Sequence, residues 1–238
     1  MKVNSWFIKL SVLVVLVVFL LGFSRQRNAS RNLEKINIEF TDENEPFITH
    51  DAVNKLLIQN TDSVTSIVKE TLDLNEMEQR LLGNPMIRDA EVFVTVDGAL
   101  GAQIEQRNPI ARVASSPDYY LDEDGKKMPL SSVYTARVPL ITGRSQSDLT
   151  EVTQLLLEIE GDDFMKSSVV GLHIEGSGNV ILRLRKHELK VHFGKPRDIA
   201  RKFRNFKAFY KKTKQDNLIN NYSLVDLQFG DQVVATKK

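Results

Sequence analysis

The side chains of this 238-residue chain that could do chemistry are four histidines, an acidic turn and a basic stretch, and each meets a bland alternative. Of His50, His173, His187 and His192, the last two fall in His-Glu-Leu-Lys-Val-His and come nearest to a metal-ligand pattern. Residues five apart on a strand point to opposite faces, and a zinc-binding helix needs His-Glu-x-x-His, so no metal site is expected. Asp122-Glu123-Asp124-Gly125 has the opening of a calcium loop, but Val133 stands where the bidentate glutamate of such a loop belongs. A hairpin turn is the expectation there. The chain has no cysteine, which removes thiol catalysis, disulfides and thiolate metal sites together. No nucleophile elbow, Ser-x-x-Lys pairing with downstream partners or phosphate-cradling glycine loop is present, so neither an enzyme nor a cofactor is expected.

Two features point to binding instead. Lys195–Lys214 (KPRDIARKFRNFKAFYKKTK) is the densest local charge, with Ile199, Phe203, Phe206 and Tyr210 at helical spacing. The expectation is a helix docked on a sheet with a solvated basic face, or one attracted to anionic surfaces or an acidic helix. The other feature is the end of the chain, where Tyr222–Phe229 and Gln232–Ala235 read as a terminal strand pair. A last strand at a sheet edge offers unpaired N–H and C=O groups to another chain. With a net charge of +1, nothing draws the chain to nucleic acid.

The elements that position these groups begin with an apolar run, Trp6 to Phe23, interrupted by Lys9, Ser11 and Gly22. At about 1.5 Å per residue such a run spans about 27 Å, so a transmembrane helix over 6–23 is expected, after a short tail at 1–5 and before a polar linker at 24–34. A cleaved signal is disfavoured because the run ends in bulky Phe23 and then charge. Lys2 and Lys9 before the run oppose Arg25, Arg27 and Arg31 after it, which leaves orientation unsettled by charge.

Lys35–Phe40 alternates as a strand, and Thr49 caps a helix carrying Ala52, Val53, Leu56 and Leu57. A second helix opens at Asn75, with Glu78 completing a capping box. Strands at Ile87–Val96 and Ala102–Gln106 join at Asp97-Gly98, and Pro109 ends the last strand. This strand–helix–helix–strand–strand order predicts two helices on a small sheet, with the apolar stretch DAEVFVTV at its centre. Beyond it come the Asp122–Gly125 hairpin, a strand at 137–141, a helix at 147–159, strands at 169–174, 180–185 and 189–193, a helix at 197–212 and the terminal pair. The fold class is therefore α+β: a compact unit over 35–113, then a mostly antiparallel β-domain over 114–238 with packed helices.

Several stretches resemble the FtsQ/DivIB family of bacterial cell-division proteins. They are Phe47-Ile48-Thr49, Asn84-Pro85 with Ile87-Arg88-Asp89-Ala90-Glu91-Val92, Arg107-Asn108-Pro109-Ile110-Ala111, Tyr120–Gly125, Val225–Phe229 and Gln232-Val233-Val234. Gln228 departs from the family's usual arginine, and Gln106 displaces the usual glutamate. The resemblance implies that residues 35–113 form a POTRA domain (β-α-α-β-β), and that the chain is a non-enzymatic scaffold of the divisome. Its C-terminal strands would receive the FtsB-type member of an FtsB–FtsL coiled-coil pair by strand addition. The implied contacts are Phe229, Gly230, Gln232, Val233, Val234 and Ala235, and the POTRA domain could hold other division proteins. The implied placement is the cell inner membrane at the septum, with the folded domains periplasmic and septal peptidoglycan synthesis as the process localised or regulated. The alternative is a POTRA-bearing component of envelope protein transport or assembly.

Overall fold

The computed structural model describes residues 5–29, 35–42, 46–58, 73–95, 98–143, 149–230 and 232–238. They divide into two compact units. One comprises Met1–Asn44 and Ile48–Gln106, the other Glu45–Phe47 and Arg107–Lys238.

The first unit begins with α1 (Ser5–Ala29), which continues past the apolar run into its basic flank. The expected transmembrane helix is not supported: among the described residues, no helix is long and apolar enough to cross a membrane. The membrane placement built on that helix loses its support with it.

After α1 come β1 (Ile36–Phe40), α2 (His50–Leu57), α3 (Leu74–Leu82), β2 (Ile87–Val94) and β3 (Leu100–Gln106). Thr49 Oγ1 caps α2 by accepting from Ala52 N at 3.1 Å. The cap of α3 is Asp73, which accepts from Glu76 N at 2.9 Å, so Asn75 lies inside the helix. Glu78 is thereby free of any capping box. The sheet order is β1-β3-β2, which puts β3 at the centre and the apolar DAEVFVTV stretch at an edge. Strand β3 runs parallel to β1 and antiparallel to β2, and Val53, Leu57, Met77 and Leu81 of the helices bury against Ile87, Val92, Leu100 and Ile104.

The second unit is a nine-stranded mixed sheet, ordered β12-β11-β10-β9-β8-β7-β4-β5-β6. Its strands are β4 (Pro109–Val113), β5 (Tyr119–Asp122), β6 (Lys127–Pro129), β7 (Leu140–Gly143), β8 (Val169–Ile174), β9 (Val180–Leu184), β10 (Lys190–Gly194), β11 (Tyr222–Asp226) and β12 (Val234–Lys237). Pro109 thus opens a strand of this sheet rather than closing one of the first. Pairs β4–β7, β7–β8 and β10–β11 are parallel and the other five antiparallel. Helices α4 (Thr150–Glu160), α5 (Asp163–Ser168) and α6 (Ile199–Gln215) are packed into its core. Ser147, expected to start α4, lies outside the described residues.

The stripe foreseen on the basic helix is its buried face, with Phe203 and Phe206 in the core and Ile199 and Tyr210 packed against it. Asp162 caps α5 through Met165 N and pairs with Lys207 of α6. Burial pushes the Asp162 carboxyl up, but the Lys207 and backbone hydrogen bonds outweigh it and hold the group below the ordinary 3.8.

Candidate strand-docking edge

The acidic turn is the β5–β6 hairpin. Asp122 is buried, accepts from Arg107 Nη1 at 2.7 Å, and accepts from Asp124 N and Lys126 N. Both of its carboxylate oxygens are engaged, Oδ1 by the turn and Oδ2 by Arg107. His187 sits before β10, held by Asn220 Oδ1 and Tyr210 Oη at 3.0 Å each, while His192 lies within β10. Among the described residues, no group of three His, Asp or Glu side chains could hold a metal ion. A groove of about 720 Å³ on the second unit is lined by His173, Arg183, Arg185, Lys190 and their neighbours. It sets like charges Arg183 and Lys190 opposite each other on β9 and β10, and within it Thr142 Oγ1 lies 3.0 Å from His173 Nδ1.

Strand β12 is the last strand of the nine, and no described strand pairs with its outer side. Lys238 donates its backbone N–H to Asn221 O at 2.8 Å, which turns its backbone groups towards β11. Backbone direction alternates along a strand, so Thr236 and Val234 also face β11. The N–H and C=O groups of Ala235 are left on the outer edge, whereas Lys237 O accepts from Ser223 Oγ at 3.4 Å. Ala235 opposes Val225 and packs half-buried on the core, while Val234 is 46% exposed on the other face.

The six residues expected to bind a partner are gathered here, with different roles. Strand β11 stops at Asp226, whose carboxylate accepts from Gln228 N, and a turn follows in which Gln232 N donates to Phe229 O at 2.8 Å. Phe229 stands on this turn with 57% of its surface exposed, outside the core. Gly230 has φ 47°, a left-handed conformation that a side chain would strain. Val233 precedes the strand and leans on the core. Asp231 lies outside the described residues.

Sequence reasoning missed three residues of this region. Lys237 belongs to the strand, its carbonyl accepting from Ser223 Oγ, and Asn205 of α6 donates to Gly230 O at 3.4 Å. Lys202 is the third: its ammonium is buried, donates to Phe193 O and Lys195 O at 2.7 and 2.8 Å, and lies over the Phe193 ring. Burial pushes this lysine below the ordinary 10.5. The one available signal was Lys202 falling next to Phe203 on the inward side of the helical stripe.

A family model described as FtsQ/DivIB, C-terminal related, matches residues 108–236, and one described as a POTRA-like domain matches residues 32–105. The cell division protein FtsQ of Geotalea daltonii is 26% identical over 179 residues. The match covers 70% of this chain and 64% of that relative, so the chain spans a little under two thirds of the relative's length.

Proposed function

Because this chain belongs to the FtsQ/DivIB C-terminal-related family, matched over residues 108–236, we propose that it is a non-enzymatic scaffold of bacterial cell division acting at the division site. Its task is to hold an FtsB–FtsL-type coiled-coil pair, with the FtsB-type chain adding a strand to β12. Through that complex it helps localise or regulate septal peptidoglycan synthesis. The observation that carries this reading is the open edge of β12: Ala235 directs its backbone groups outwards, and Phe229 stands exposed on the turn before the strand. A strand aligned there gains one ladder of main-chain hydrogen bonds, and Phe229 and Val234 supply side-chain contacts that select its sequence.

The test is affinity capture of the FtsB–FtsL-type pair by the full chain. Ala235→Pro removes an outward N–H while leaving the inner ladder to β11 in place, and proline is tolerated on an edge strand. Loss of capture by Ala235→Pro, with Phe229→Ala weakening it, is the expected result. Undiminished capture by Ala235→Pro sinks strand addition at this edge.

A further inference from the structure

The three-stranded sheet of the first unit has two edges, and they are not alike. On β2, Val92 N donates to Glu78 Oε1 at 3.0 Å and Ala90 N to Asp89 Oδ1 at 2.9 Å. Both residues face away from β3, since their odd-numbered neighbours carry the ladder, as Thr95 N does in donating to Ala99 O. The chain's own carboxylates therefore occupy two outward donors of this edge. An incoming strand would have to displace both.

On β1 the outward groups are left open. Thr41 N donates to Ile104 O and Lys35 O accepts from Leu100 N, so odd-numbered residues face β3. The even-numbered Ile36, Ile38 and Phe40 turn their backbone N–H and C=O groups outwards, and no described group bonds them. A groove of about 580 Å³ runs along this edge, lined by Ile36–Glu39 and by His50, Asp51 and Asn54 of α2. His50 packs edge-on to Phe40 and closes one end. The charged residues lining the groove, Glu39 and Asp51, are both acidic.

We infer that the outer edge of β1 is a second strand-docking site, taking an extended segment of a partner protein that carries Lys or Arg side chains. Main-chain pairing to Ile36, Ile38 and Phe40 provides the ladder. A basic side chain of the segment meets the Glu39 and Asp51 carboxylates, so binding weakens with salt. The site is independent of the β12 edge and of the reading built on it.

The probe is a synthetic decapeptide of alternating valine and threonine bearing two lysines, titrated into the full chain and followed by amide resonances. The expected result is perturbation of Ile36, Ile38 and Phe40 with Ala90 and Val92 unmoved. Glu39→Lys with Asp51→Lys, both at exposed positions, should weaken binding at least tenfold, as should replacing the peptide's lysines with glutamates. Ile36→Pro, at a strand's first residue, should abolish it. Perturbation confined to Ala90 and Val92 or to Ala235, equal binding of the glutamate peptide, or no binding at millimolar concentration each overturns the inference.

Discussion

The edge strands β2 and β12 start from similar material and end differently. Both alternate a core-facing apolar residue with an exposed one, and each borders its sheet on one side only. Beside β2 stands a helix whose Glu78 reaches Val92 N–H, and the strand's own Asp89 folds back on Ala90 N–H. Nothing described does this for the outward groups of Ala235. Edge strands are usually guarded against stray pairing. One edge here is guarded by carboxylates and the other only by charge, through Lys237 and Lys238. The lesson is that an edge's fate is set by which side chains, from the neighbouring element or from the strand itself, reach its outward groups.

Five substitutions would break or sharpen this contrast. The largest effect belongs to Phe206→Ala, which removes a fully buried ring from between α6 and the sheet that carries β12. A loss of about 3–5 kcal/mol is expected from the second unit, with the first unit's melting transition unmoved, as calorimetry would resolve. A single shifted transition for the whole chain would mean that the two edges do not belong to separately stable units. Next, Ala235→Pro should reduce partner affinity about a hundredfold, near 2.8 kcal/mol, and Phe229→Ala about tenfold. Equal losses from the two would shift the weight from backbone pairing to the aromatic side chain.

Glu78→Ala should cost about 1 kcal/mol and leave Val92 N–H to solvent, with faster amide exchange at Val92 as the readout. If Val92 exchange stays slow, the carboxylate is not what guards β2. The smallest effect is acid sensitivity. Asp162 is held below its unfolded value, so its stabilisation is present above 3.8 and fades as the pH falls from there through the folded value. Thermal melts between about pH 6 and pH 3 should show the second unit losing stability in that window, and Asp162→Asn should flatten the dependence.

Local chemistry was readable in the residues, and neighbourhood was not. Thr49 announced α2 because a β-hydroxyl before an apolar stripe has one strong use, and Asp122–Gly125 announced its hairpin in the same way. The start of α3 was misplaced because Asn75 and Glu78 form a cap pattern by themselves, whereas the true cap, Asp73, is visible only once Glu78 is seen bonded to Val92. The centre of the first sheet was misjudged because apolar content was taken for centrality. Strand β3 is central although it contains Gly101, whose missing side chain leaves room for the Phe93 ring: a Cβ there would stand 2.4 Å from it. Helix α5, of six residues, is too short to show a period. In the docking region the strand pair was foreseen, but its boundary was not, because Asp226 reads as one more strand residue although its carboxylate ends β11 by turning back on Gln228 N–H.

The order of the last strands also has a mechanical meaning. Among the described strands, β12 pairs with β11 alone, and β11 joins the rest of the sheet through its parallel pairing with β10. Tension along the axis of β12 therefore loads the ladder in shear, where all of its hydrogen bonds resist together. Tension across the axis peels them one at a time. The buried ammonium of Lys202, fastened to the carbonyls of Phe193 and Lys195, pins α6 to the end of β10 and stops that joint from sliding. The C-terminal edge is thus built as a coupling that holds along one direction and releases along another.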